Sequence, residues 1–266
     1  ASHNSRAQVP SNVPVHNQLI KSELLKTPNY LAEIDKWTEK NLMKLNQKKT
    51  MQILFNFNRD KQFTTEVKLK NEPLEILDEV KLLGVIISKD LKWHKNTSYL
   101  TKKANKKMRM LHIAAKFTRN REHLEHIYKT FVRSNLEFSS TVWHSSLTVT
   151  ERQDLERIQK AAVKVILGND YDNYTQALSN LKMKSLNKRR EDMALKFAKK
   201  SLENEHFSKL FPIRDINHGK DIRNSEKYHV NRSKTNRYKQ SAIPYLQRLL
   251  NKESLEKRQS LKRLFS

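Results

Sequence analysis

From Leu91 to Arg121 the chain carries ten Lys or Arg and no acid, while its apolar residues repeat at helical spacing. The segment reads LKWHKNTSYLTKKANKKMRMLHIAAKFTRNR. Leu100, Ala104, Met108, Leu111 and Ala115 recur three or four positions apart, which places them on one side of a helix. Lys102, Lys106 and Arg109 fall on another side. One face of such a helix can bury while the other offers cations to a long polyanion. Nucleic acid is the partner that this surface fits.

The rest of the chain has the same bias. Its 266 residues hold 53 Lys plus Arg against 28 Asp plus Glu, a formal charge of +25. From Lys182 onward 23 basic residues face 9 acidic ones, so the last third supplies 14 of that excess. A charge of this size repels itself on compaction and is tolerated where a partner neutralises it. Counterion release from a phosphate backbone would then make affinity fall steeply with salt.

Other compositional facts exclude whole classes. With 36% hydrophobic residues, ten Phe, eight Tyr and three Trp, the chain can build the core of one large or two small domains. No stretch approaches the roughly 20 apolar residues of a membrane span, and no apolar run follows a basic start as in a signal peptide. No membrane partner is expected on that ground. The absence of cysteine rules out disulfides and thiolate zinc knuckles and fits a reducing, intracellular setting, with the nucleus favoured. Lys188-Arg189-Arg190 could serve there as a nuclear localisation patch. Three glycines (Gly84, Gly168, Gly219) leave no phosphate-cradling loop. The chain opens at Ala1 without Met, as a processed chain or a piece of a longer one would.

Along the chain, residues 1–29 read as an irregular lead-in with Pro10, Pro14 and Pro28. A short helix follows to about Lys40, with Leu31, Ile34 and Trp37 on one side. The period then changes. Ile53, Phe55 and Phe57 alternate with polar or outward partners, as do Phe63, Thr65, Val67 and Leu69, and Leu82 to Ile87 is a near-continuous apolar run around Gly84. With Asn71-Glu72-Pro73 as a turn, residues 30–90 predict a small α+β unit with a three- or four-stranded antiparallel sheet. Helices dominate afterwards: about Thr97 to Phe117, about Arg121 to Val142, one capped by Thr150 with Gln153 three positions on and stopped at Gly168, and one from about Leu186 to Leu202. The stretch from His206 to Ser241 reads as basic and irregular, and a last helix starts at Ile243.

Taken singly, the motifs are bland. WTEKNLMKLNQKKT, residues 37–50, is a helix end with a lysine-rich exit, and KLLGVIISKDLKW, residues 81–93, is a buried strand leaving through a polar turn to an anchoring Trp. IYKTFVRSNLEFSSTVW, residues 127–143, and DLERIQKAAVKVILG, residues 154–168, are two packed helices. His123 and His126 share a helix face, yet spacing suggests no third metal ligand, so a polar helix surface is expected.

In combination and order, these segments resemble the reverse transcriptases of LINE-type (non-LTR) retrotransposons, downstream of their catalytic Asp-Asp. The family shows a W…N-x-MK-x-N-x-x-KT segment, a [KY]-LG-V-x-[IL] strand followed by L-x-W, an LY…VR-x-x-LEY-x-x-x-VW helix and an LE-x-[IV]-Q-[KR]-x-A helix. All four have counterparts here, with Phe138 where the family often has Tyr, and RSKTNRYKQSAIPYLQRLLN, residues 232–251, is similar to a tail segment of invertebrate members. The resemblance spans about residues 30–251.

That resemblance implies a division and a set of roles. Residues 30–90 would be part of a polymerase palm, 91–168 a thumb-like helical domain, and 169–266 a basic helical C-terminal extension, in an α+β chain. Lys49 would match the motif D lysine thought to protonate departing pyrophosphate. Residues 81–88, with Leu83, Gly84 and Val85 at their centre, would be the primer-grip hairpin. The thumb would lie along a template–primer duplex, gripped through phosphates and 2′-hydroxyls. Its contacts would come from Lys92, Lys95, Lys102, Lys103, Lys106, Lys107, Arg109 and Lys116. The implied partners are an RNA–DNA or DNA duplex, or RNA, together with the upstream part of the polymerase.

The sequence has no adjacent Asp-Asp pair, which two-metal phosphoryl transfer in this family requires. Asp170 and Asp172 in NDYDNY read instead as capping or surface residues, and Asp78-Glu79 as an edge-charge device. No cofactor is expected in this chain, because Mg2+ would belong to the missing carboxylates, and no polymerisation by the chain alone. The alternative is a basic helical RNA- or DNA-binding module or chaperone with no polymerase role. Basic amphipathic helices also suit anionic lipid surfaces.

Overall fold

The computed structural model describes residues 29–57, 67–70, 72–214 and 226–264, and it is a mostly helical α+β chain. The expected lead-in lies outside these residues except for residue 29, where helix α1 (29–40) begins. Two compact units are present, one from residues within 1–80 and 88–91, the other from 81–87 and 92–266.

In the first unit α1 does not bury its expected apolar side. Trp37 is 58% exposed and Ile34 nearly half exposed, while Thr38 is buried, its Oγ1 donating to the Asp35 carbonyl. A single 3-10 turn, Gln47–Lys49, follows, capped by Asn46. The strand expected over Ile53, Phe55 and Phe57 is shorter than the alternation predicts, since Phe55 and Phe57 lie outside it. Strand β1 (Gln52–Ile53) pairs in parallel with β4 (Ile76–Leu77), and β2 (Lys68–Leu69) pairs antiparallel with β3 (Glu72–Pro73). The single antiparallel sheet is therefore corrected to separate two-stranded pieces, one of them parallel. Phe63 and Thr65 lie outside the described residues, as does Asn71. Pro73 is paired with Lys68 rather than held in a turn, which an edge position in a two-stranded ladder allows.

The run around Gly84 is a hairpin, as the resemblance implies for residues 81–88, and not the one strand that the apolar run alone suggests. Strands β5 (Glu79–Leu82) and β6 (Val85–Ser88) form their own two-stranded sheet. Leu83 (φ 47°) and Gly84 (φ 87°) both lie in the left-handed region, as a two-residue type I′ turn requires. Periodicity alone does not show the reversal, because Leu83, the turn residue, is itself apolar and 88% exposed.

The second unit is a bundle built on α2 (His94–Phe117) and α6 (Val149–Leu167). Between them the segment expected as one helix is broken into α3 (Arg121–Ile127), a π-helical stretch Tyr128–Arg133, α4 (Ser134–Glu137) and α5 (Ser140–Trp143). The helix is interrupted at Phe138 (ψ 123°) and Ser139 (φ 49°), whereas the π stretch within it follows from spacing. Leu124, Tyr128, Val132 and Leu136 are all buried, and each four-residue step would carry a 3.6-residue helix about 40° past its neighbour. A π turn takes up the extra residue and keeps all four inward. Helix α6 is capped by Thr148 with Glu151, not by Thr150 with Gln153. Both pairs have the same spacing, but only the Glu151 carboxylate accepts from the Thr148 N–H, at 2.8 Å, while Thr148 Oγ1 accepts from the Glu151 N–H. Gly168 ends the helix as expected, at φ 56°.

Helix α7 (Tyr174–Asn180), absent from the sequence reading, leads to α8 (Leu186–Leu202), whose bounds match it. Short helices α9 (Glu205–Ser208) and α10 (Asn236–Gln240) interrupt the stretch read as irregular, and α11 (Ala242–Leu264) closes the described chain. One core gathers α2 through α7, the start of α8 and Val85 of the hairpin. A second joins Ala194 and Ala198 of α8 to Phe211, Tyr228 and Leu246, Leu249 and Leu250 of α11. Each fully buried leucine contributes about 1.5–3 kcal/mol to such a core.

Candidate nucleic-acid interface

Helix α2 is fixed from both sides. Its buried positions include Leu100, Ala104, Met108 and Leu111, and its first turn is tied to the hairpin by Asn96, whose Oδ1 accepts from the Ile86 N–H at 3.1 Å. Lys81 of the hairpin donates to the Tyr99 hydroxyl at 2.8 Å, and that hydrogen bond holds the phenol below its ordinary pKa. Lys116 lies in the last turn, where a cation suits the helix dipole.

The cations then sort by position. Lys102, Lys106, Arg109 and Lys116 are exposed and three, four or seven residues apart, so they form one outward stripe. Lys103 and Lys107 flank it, Lys107 half-buried. Among the described residues none of these six has an acidic partner. The carboxylates are engaged elsewhere: Glu125 with Lys129, Glu137 with Arg133 and Arg189, Asp192 with Lys184 and Lys188, Asp170 with Arg121, and Glu253 with Lys199. Lys92 and Lys95, at the start of the helix, are exposed but not free of partners. Six of the eight expected contacts thus remain available.

Beside the stripe a groove of about 390 Å³ runs between α2 and α6. Lys102 and Asn105 line one wall and Arg157 and Ala161 the other, with His94 and Glu151 at the far end, so the two helices run in the same direction. Arg157 is held there by Asp154 at 2.6 Å.

The other expected residues separate. In the hairpin, Leu83 stands out at the tip, Gly84 lies against the Phe138 ring, and Val85 is buried in the bundle core. Lys49 belongs to the other unit; its side chain is exposed and its N–H donates to Asn46 Oδ1 at 3.2 Å. His123 and His126 are exposed, and no group of three or more metal-ligating side chains occurs among the described residues. The Lys188-Arg189-Arg190 triplet is not a surface cluster: Arg190 is fully buried, Arg189 is clamped by Glu137 and Lys188 by Glu191 and Asp192.

Several polar residues of the quoted motifs hold the bundle together. Tyr128 donates to Gln159 Oε1 at 2.6 Å, and Gln159 Nε2 donates to the Tyr174 hydroxyl at 2.8 Å and to the Lys184 carbonyl at 3.1 Å. Tyr174 donates in turn to Glu156, which also accepts from the N–H groups of Leu186 and Asn187 at the start of α8. Burial pushes Tyr128 and Tyr174 well above the ordinary tyrosine pKa. Nearby, Arg190 reaches the Leu136 carbonyl at 3.5 Å and lies over the Trp143 ring, and desolvation brings its pKa down to about 10. None of these partnerships is visible locally, since each joins residues between 15 and 54 positions apart.

Compared with known proteins, the chain matches no family model, no curated protein and no solved structure. What its fold and site define is a class: an α+β chain whose helical unit displays a stripe of cations with no acidic partner among the described residues. Among the described residues no helix is long and apolar enough to cross a membrane.

Proposed function

We propose that this chain binds nucleic acid, gripping a template–primer duplex as the C-terminal part of a retroelement RNA-directed DNA polymerase. The observation that carries the reading is the stripe of α2: a row of cations without acidic partners among the described residues, in a chain whose acids neutralise cations elsewhere. From Lys102 to Lys116 the stripe is about 21 Å long, or about six phosphate steps of one strand. The contacts of the hairpin with α2, through Lys81 and Asn96, support reading residues 81–88 as a primer grip. Polymerisation is not assigned to this chain, because its sequence lacks the Asp-Asp pair. Mg2+ would be held by those carboxylates in an upstream part of the polymerase, which is the protein partner implied.

Phe117 favours a second reading. At 85% exposure beside Lys116, it offers a stacking surface for an unpaired base, as in a basic module that takes single strands. Fluorescence anisotropy with matched RNA–DNA hybrid and single-stranded probes separates the two. The polymerase reading expects tighter binding of the hybrid, and tighter binding of the single strand overturns it in favour of the stacking module.

A further inference from the structure

On another part of the helical unit, three elements bring six cations around a single pocket of about 460 Å³. Lys129 and Arg133 come from the π-helical stretch, Lys182 and Lys184 from the connection between α7 and α8, and Arg189 and Lys196 from α8. The two arginines are the less exposed members, at 17% and 31% for their side chains. Glu137 positions both: it accepts from Arg189 Nε at 2.5 Å and Nη2 at 3.1 Å, and lies 3.7 Å from Arg133 Nε. Three carboxylates serve the six cations, Glu137, Glu125 on Lys129 and Asp192 on Lys184. Three positive charges are left over, and Lys182 and Lys196 have no acidic partner among the described residues.

This cluster is held against its own repulsion. Partial burial, and then the Arg189 guanidinium beside it, push Arg133 below the ordinary arginine range. A guanidinium fork fixed by a carboxylate on one side presents its remaining N–H groups in a rigid plane, the geometry that recognises phosphate oxygens. Met183 and Met193 add an adaptable apolar wall.

We propose that this pocket is a binding site for a multiply charged phosphate group: a polyphosphate chain or the terminal phosphomonoester of a nucleic-acid strand. The two arginines at its base would take the phosphate oxygens, and the lysines at its rim would neutralise the remaining charge. The site is separate from the α2 stripe and does not rest on the reading given for it.

The test uses inorganic tripolyphosphate and the full chain in isothermal titration calorimetry at fixed ionic strength. One tripolyphosphate per chain is expected. Lys182→Gln with Lys196→Gln, two exposed positions with no acidic partner in the described structure, should weaken it at least tenfold with an unchanged melting temperature. The Lys102→Gln/Lys106→Gln/Arg109→Gln variant of α2 should bind it as the unaltered chain does. Displacement by a 5′-phosphorylated oligonucleotide but not its 5′-hydroxyl twin assigns the site to strand ends; displacement by neither assigns it to free polyphosphate. Unchanged affinity in the Lys182/Lys196 variant, or an equal loss in the α2 variant, overturns the proposal while leaving duplex binding to be judged on its own.

Discussion

Gly84 lies against the ring of Phe138 so closely that a Cβ built on the glycine would sit 3.0 Å from Phe138 Cε1. The glycine is at φ +87°, where side chains are rarely tolerated. Two independent costs therefore fall on Gly84→Ala. The substitution should destabilise the chain by about 1–2 kcal/mol in urea unfolding. Adding Phe138→Ala should return the steric share and leave the backbone share, which a double-mutant cycle reads directly.

Gln159 joins Tyr128 to Tyr174 inside the bundle. Gln159→Leu keeps the volume but leaves a fully buried phenol hydroxyl without its acceptor. The expected loss is about 1–3 kcal/mol, measured by chemical denaturation. Tyr128→Phe on the same background should recover part of it, because the orphaned donor is then gone.

His144 is buried and held neutral, its pKa pushed down to about 3 by desolvation and then by Arg190 and Arg152. A folded-state pKa below the unfolded value of about 6.5 means that the unfolded chain binds the extra proton first. Stability should therefore fall as pH drops from about 6.5 towards 3, by on the order of a few kcal/mol from this residue. His144→Gln should flatten that part of the stability curve relative to the unaltered chain. An undiminished slope would place the acid sensitivity in other groups.

Glu137 draws Arg133 and Arg189 together across the second unit. Glu137→Gln leaves two part-buried guanidiniums facing each other with no carboxylate between them. A loss of about 3–5 kcal/mol is expected from breaking such a pair on one side only, read as a lower urea midpoint. Higher salt should lessen the loss, since screening weakens what remains of the repulsion.

The sequence made legible what is local. The bounds of α8 follow from its periodicity together with Ser185, whose side chain accepts from the Lys188 N–H at the cap. The α2 cations are legible for the same reason: helical spacing and the absence of acids are properties of one segment. What the sequence hid depends on partners far along the chain. Glu137 and Arg189 are 52 residues apart and Arg190 and Leu136 are 54, so neither pairing shows in any local pattern. The π turn escaped because nothing marks it except a run of four-residue steps, which an α-helix also tolerates over short lengths. Alternation predicts a larger sheet because it shows an extended chain without saying what it pairs with; β1 pairs in parallel with β4.

The most direct measurement is the salt dependence of RNA–DNA hybrid binding by the full chain, compared with its Lys102→Gln/Lys106→Gln/Arg109→Gln variant. If α2 meets phosphates through these three cations, the variant should bind more weakly across unrelated sequences, and its log–log salt slope should shrink by about 2–3. An affinity and a slope equal to those of the unaltered chain would contradict the account.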